Sequence, residues 1–316
     1  MILVTGGTGF VGTALIRHLA STKDVRGVFH TRSTRSELPV EGGWFNGEIA
    51  VSQDWRAALV DVECVIHCAA RVHVMDDTAA DPLAEFRRVN VEGTLQLARQ
   101  AAEAGVRRFV FVSSIKVNGE WTEPGTPFLA DAVPDPRDPY GVSKAEAEQG
   151  LRKMVEETGM EVTIIRPPLV YGPGVKANFL AMMAWLARGV PLPFAAIRNT
   201  RSLVGIDNLV DLIVLCADHP AAANQTFLVS DGEDLSTTDL LRRMGQALGK
   251  PARLIPVPQQ LLMLGAKMLG KPGIAQRLCG SLQLDITKTR QLLGWNPPVS
   301  VDEGLRRTAA HWLASH

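Results

Sequence analysis

The chain has 316 residues, 46% of them hydrophobic and 21% charged, the proportions of a globular protein long enough for one large domain or two that share a core. Lys plus Arg and Asp plus Glu each total 33, so the formal net charge is zero, which argues against a nucleic-acid groove or a polybasic membrane patch. No apolar run reaches the roughly 18 residues that a membrane span needs, and Met1 leads directly into an apolar strand with no basic leader, so a cytoplasmic protein is expected.

Short β-branched runs alternate with longer helical patterns through the first half. Strands are predicted at 2–5, 25–31, 43–46, 61–68, 107–114 and 161–166, and helices at 10–20, 54–59, 82–104 and 140–158. This alternation implies right-handed βαβ units and a parallel sheet, and the near-continuous apolar strands imply that both sheet faces are covered. Residues 119–139 are rich in Pro, Gly and Asp and are read as a loop over the sheet. A helix near 208–217 and a strand at 226–229 return to the sheet. The expected fold is α/β, a Rossmann doubly wound parallel sheet with a smaller C-terminal substrate-binding region. Its dinucleotide domain is assigned to 1–166 plus 203–230, and its substrate region to 167–202 plus 231–316.

Thr5-Gly6-Gly7-Thr8-Gly9-Phe10-Val11-Gly12 follows the first strand and opens the first helix. Glycines at 6, 9 and 12 allow a tight turn and close backbone approach to a pyrophosphate, while the helix start presents free N–H groups to it. A ribose-binding acid is missing where the second strand ends. The segment carries Arg32 and Arg35 instead, with Glu37 the first acid. Guanidinium groups suit a 2′-phosphate, so NADP(H) is favoured, with NAD(H) the alternative.

Tyr140 and Lys144 are four residues apart at a helix start, on one face. An ammonium near a phenol favours the phenolate, which suits Tyr140 to acid/base work. Ser113 and Ser114 end a strand at the C-terminal edge of the sheet, where such folds bind ligands.

Together these motifs resemble the extended short-chain dehydrogenase/reductase family, over essentially the whole chain. The resemblance is carried by the Gly-rich turn, H-C-A-A at 67–70, V-N-V-E-G-T at 89–94, F-V-S-S at 111–114, Y-G-V-S-K at 140–144, R-P-P-L-V-Y-G-P-G at 166–174 and L-G-W-N-P at 293–297. It implies that Ser114, Tyr140 and Lys144 form the catalytic set. It implies a cofactor site from Gly6, Gly9, Phe10, Val11, Gly12, Glu48, Ile49, Ala69, Ala70, Asn90, Tyr140, Lys144 and Pro167. Substrate contacts are implied at Ser114, Lys116, Asn178 and Arg201, the last two on a diphosphate. One departure is Asn118, where the family has tyrosine. The resemblance extends to nucleotide-sugar 4-epimerases and, more closely, to a 4-keto-reductase branch forming UDP-N-acetylquinovosamine-type sugars. The expected reaction is therefore NADPH-dependent reduction of the 4-keto group of a UDP-linked, 6-deoxy, N-acetylated hexose. A 4-epimerase that retains NAD is the alternative, and a non-catalytic dinucleotide sensor ranks below both. The family also implies a homodimer through the two long helices.

No metal site is expected. His67, His73, Asp76 and Asp77 lack ligand spacing, and His67 lies on a buried strand. Cys64, Cys68, Cys216 and Cys279 form no C-x-x-C pair and read as reduced thiols. The apolar stretch 259–269 could be core, a lid over the substrate or a membrane-surface contact. Core or lid is preferred, because basic residues flank it only sparsely.

Overall fold

The computed structural model describes residues 1–20, 24–29, 42–72, 81–123, 125–268, 270 and 272–315. Seven parallel strands form the central sheet: β1 Ile2–Thr5, β2 Val25–Phe29, β3 Trp44–Asn46, β4 Cys64–His67, β5 Arg108–Val112, β6 Glu161–Arg166 and β9 Thr226–Leu228. Their order is β3-β2-β1-β4-β5-β6-β9. β1, β4 and β5 are buried along their whole length, as a sheet with two covered faces requires. Helices α1 Phe10–Leu19 and α6 Ile206–Asp218 cover one face. On the other lie α3 Thr94–Glu103 and α4 Pro139–Thr158. Strand order reverses between β1 and β4, so their C-terminal ends open a crevice there, the place where doubly wound sheets receive ligands.

The remaining elements stand beyond the end of this sheet. Strands β7 Leu169–Tyr171, β8 Arg201–Gly205 and β10 Asp234–Leu235 form a separate three-stranded sheet. Helices α5 Ala177–Ala187, α7 Thr237–Ala247 and α11 Val301–Ser315 share a core with it. Tyr171 ties this region together: its hydroxyl donates to Asp231 Oδ2 at 2.8 Å, while Asp231 Oδ1 accepts from the Gly205 amide and from Asn208 Nδ2.

Three sequence expectations are altered. Residues 54–59 form turns rather than a helix, since six residues between strands are too few to repay nucleation, and Gln100 instead takes up the Trp55 amide and the Gln53 carbonyl. The helix expected at 82–104 is α2 Pro82–Arg87, a π-helical turn Arg88–Gly93 and α3. Within the stretch 259–269, residues 259–268 are not core: α8 Gln259–Met268 has no buried residue and packs chiefly on α9 Pro272–Cys279. All four cysteines are free. Arg32, Arg35, His73, Asp76 and Asp77 lie outside the described residues.

Candidate active site

A crevice of about 590 Å³ opens over the β1–β4 switch point. Its floor is the Gly-rich turn from Gly6 to Gly12, its sides are Glu48 and Ile49 after β3 and Cys68 to Val72 after β4, and Lys176 faces it from the second lobe. Gly6 adopts φ +69°, and a Cβ there would lie 2.8 Å from the Ala69 amide nitrogen. A Cβ on Gly12 would collide with the Gly6 carbonyl, so this residue sets the close packing of α1 on the turn. No side chain caps α1 at Gly9. Its first-turn amides, including those of Phe10 and Val11, therefore point at the crevice with the positive end of the helix dipole. The crevice thus fits a dinucleotide on backbone donors. Glu48, Ile49, Ala69 and Ala70, which the resemblance places in the cofactor site, all line the crevice.

The residues expected to form the catalytic set, Ser114, Tyr140 and Lys144, are carried by the end of β5 and the start of α4. Ser114 leaves β5 and caps the 3-10 turn Ile115–Val117, its Oγ accepting from the Lys116 amide. Ile115 N donates to the Pro167 carbonyl at 3.0 Å, which fixes this turn to the end of β6. Asp138 is the N-cap of α4, accepting from the Gly141 amide at 2.7 Å, and Pro139 follows at the first helical position. The next residue is Tyr140, whose phenol lies near the Ser114 side chain. Its ring meets Phe86 edge-on at 6.0 Å, and Phe86 in turn lies under the Arg71 guanidinium at the crevice wall. Lys144 is buried one turn on. Its Nζ donates to the Val112 carbonyl at 2.8 Å and sits 4.1 Å from the Phe111 ring centroid.

The protonation states differ from the sequence expectation. Enclosure pushes the Tyr140 phenol up to about 12; the Asp138 carboxylate adds to this and Ser114 opposes it. Burial pulls Lys144 down to about 7, against the raising effect of Glu148 and Cys68. The two shifts share a cause, because removing water disfavours the charged form of each group. His67 is held neutral between the Thr5 and Thr94 hydroxyls at 2.7 and 3.0 Å, with its pKa lowered to about 3, mainly by burial. Among the described residues no group of three or more His, Cys, Asp or Glu side chains could hold a metal ion.

Asn90 lies inside the π-helical turn. Its Oδ1 accepts from the Arg71 amide at 2.8 Å, and its Nδ2 donates to the Arg71 carbonyl and to Ser143 Oγ, both at 3.0 Å. It therefore holds the crevice wall to α4 rather than facing the crevice; π-turns of this kind recur at functional positions. Lys116, expected on the substrate, is paired with Asp138 and Glu120. The Arg201 guanidinium donates to the Gly280 carbonyl at 2.9 Å and is half-buried at the start of β8. The side chain of Asn178 is outside the described residues.

Sequence reasoning missed the group that supports Ser114 and Lys144. Glu148, Arg166 and Ser113 form a buried network: Arg166 grips Glu148 through Nε at 2.9 Å and Nη2 at 2.5 Å, and Ser113 Oγ donates to Glu148 at 2.6 Å. Asn118, the departure from the family pattern, completes it by accepting from Arg166 at 2.9 Å and donating to the Leu129 carbonyl. Spacing gave a partial signal, since Glu148 follows Lys144 by four positions on the same helix face. Asp138 was also missed, although Asp-Pro before a helical pattern marks a helix start.

Residues 2–230 match the family described as NAD dependent epimerase/dehydratase family. The chain belongs to this family. This epimerase/dehydratase is 49% identical over 319 residues to a UDP-glucose 4-epimerase of Vibrio cholerae, covering 100% of this chain and 96% of the relative. Two solved structures share the fold. A UDP-glucose 4-epimerase from Thermotoga maritima with UDP-glucose has a TM-score of 0.76 at 24% identity, covering 99% of both chains. A UDP-glucuronic acid 4-epimerase from Bacillus cereus in complex with NAD has a TM-score of 0.79 at 21% identity, covering 99% of this chain and 98% of that one. The extended short-chain dehydrogenase/reductase assignment therefore holds, and with it a nicotinamide-dependent enzyme of the nucleotide-sugar class. Among the described residues no helix is long and apolar enough to cross a membrane.

Proposed function

We propose that this epimerase/dehydratase is a UDP-sugar 4-epimerase that retains NAD, in preference to the NADPH-dependent 4-keto-reductase suggested by the arginines after the second strand. The whole-length similarity to a UDP-glucose 4-epimerase carries this reading, and the Ser114, Tyr140 and Lys144 arrangement supports it. The dinucleotide would rest on the amides of Gly9 to Gly12, between Ile49 and Ala69. When bound, it would supply the acceptor for a hydride from the sugar C4 and the donor for its return. A cationic nicotinamide in the crevice would favour the Tyr140 phenolate, which would take the proton of the C4 hydroxyl as that oxygen becomes a carbonyl and give it back on reduction. Ser114 holds the same oxygen, and Lys144 orients the nicotinamide ribose. Turning the ketone over between the two steps exposes its opposite face and inverts C4. The sugar would lie over segments 167–202 and 231–316, with Arg201 its cationic contact to the diphosphate. We assign the enzyme to the cytoplasm, on its four free cysteines, and to a homodimer formed through α3 and α4.

Purified protein incubated with UDP-glucose, or with UDP-N-acetylglucosamine, and no added cofactor should yield the C4 epimer, and NAD should be released on denaturation. Inactivity without NADPH, with net NADPH consumption on a 4-keto sugar, rejects this reading in favour of the reductase.

A further inference from the structure

The second lobe carries a charge asymmetry that a net charge of zero conceals. Residues 240–284 contain seven basic side chains and no acidic one. Arg242 and Arg243 are paired with neighbouring carboxylates from outside this stretch. Lys250, Arg253, Lys267 and Arg277 are all exposed. Within the same stretch, α8 shows solvent an apolar stripe. Leu261, Leu264 and Met268 recur at helical spacing and are 57%, 55% and 80% exposed, with Met263 at 43%. Large apolar side chains so exposed at consecutive turns mark a surface that is covered in use. Lys267 flanks the stripe one position before Met268.

Exposed apolar residues also precede the helix. Ile255, 49% exposed, follows a short pairing in which the Leu192 amide donates to the Arg253 carbonyl and the Ile255 amide to the Leu192 carbonyl. This pairing brings Val190, 40% exposed, and the end of α5 beside the basic segment, where Lys250 Nζ donates to the Ala187 carbonyl.

From this combination we infer that the α8 surface docks peripherally on an anionic phospholipid bilayer, with Leu261, Leu264 and Met268 entering the headgroup–acyl boundary and Arg253, Lys267 and Arg277 meeting the lipid phosphates. An acid-free segment complements a negative surface, and outward-facing leucine and methionine next to lysine and arginine are the composition of interfacial helices. The inference is independent of the reaction assigned above, because it rests on no residue of the crevice.

The test is co-flotation of the full chain with vesicles of phosphatidylcholine, with and without phosphatidylglycerol. Binding is expected to the anionic vesicles and to fall with added salt. Leu264→Ser should weaken it roughly tenfold, and Lys267→Glu roughly fivefold or more. Both variants should keep the wild-type melting temperature. Absence of binding to anionic vesicles, or binding that both substitutions leave unchanged, overturns the inference. So does sedimentation showing a dimer that Leu264→Ser dissociates, since a second copy would then cover the stripe.

Discussion

Tyr140 and Tyr171 are the only tyrosines in the chain, and both phenols are shifted upward by burial. An ultraviolet titration of the cofactor-free protein should therefore show little phenolate at pH 10, where a free tyrosine is about half ionised. Tyr140→Phe should abolish turnover while leaving dinucleotide affinity within a few-fold, and retained turnover would reject the acid/base assignment. His67 makes the opposite kind of prediction. Its folded pKa, about 3, lies below the unfolded value of 6.5, so the unfolded chain binds the extra proton between these limits. Stability attributable to His67 is complete above pH 6.5 and is lost as pH falls toward 3, by at most about 1.4 kcal/mol per pH unit. Thermal melts across this window should steepen for the wild type relative to His67→Gln; parallel curves would show that the imidazole is not held neutral.

At the scale of the element, the start of α4 combines structure with chemistry. Asp138 caps the helix, pairs with Lys116 and raises the Tyr140 pKa. Asp138→Ala should cost about 1 kcal/mol through the lost cap. Asp138→Asn retains a capping oxygen but removes the charge, so its melting temperature should stay near the wild type while the pH–rate profile moves to lower pH. An unchanged profile would separate Asp138 from the titration of Tyr140. The elements themselves were largely legible, because β-branched runs and the Gly-rich turn are local signals: β1, β6 and the start of α1 fall where periodicity placed them. The π-helical turn at Asn90 was not, since no local pattern marks it and it is held by contacts to Arg71 and Ser143, distant in sequence. The shared helix face of Tyr140 and Lys144 could be read from spacing, whereas Ser114 was expected only from the resemblance to the family. The direction of the Tyr140 shift could not be read, because it depends on how much water the fold removes.

Across the whole molecule, the buried Arg166–Glu148 pair joins β6 to α4 and, through Ser113 and Asn118, to the end of β5 and the loop beyond it. Breaking one side leaves an uncompensated buried charge, so Arg166→Met alone should cost about 3–5 kcal/mol in chemical denaturation. A loss under about 1 kcal/mol would mean that water reaches the pair. Beyond the spacing of Glu148 from Lys144, the network left no sequence signal, because its members come from three segments, residues 113–118, α4 and β6, and only folding gives them a common interior.

All seven central strands run the same way, so the candidate active site gathers at one rim and the other rim is left with turns. Two of those turns hold left-handed backbone on the surface, Gly105 at φ +77° after α3 and Asn224 at φ +58° before β9. The position of the Gly105 Cβ is free of neighbours within 4 Å. Exposed turns of this kind tolerate added chain. A tether or reporter peptide inserted at residue 105 would thus leave from the side opposite the crevice, allowing the enzyme to be immobilised with its working rim facing outward.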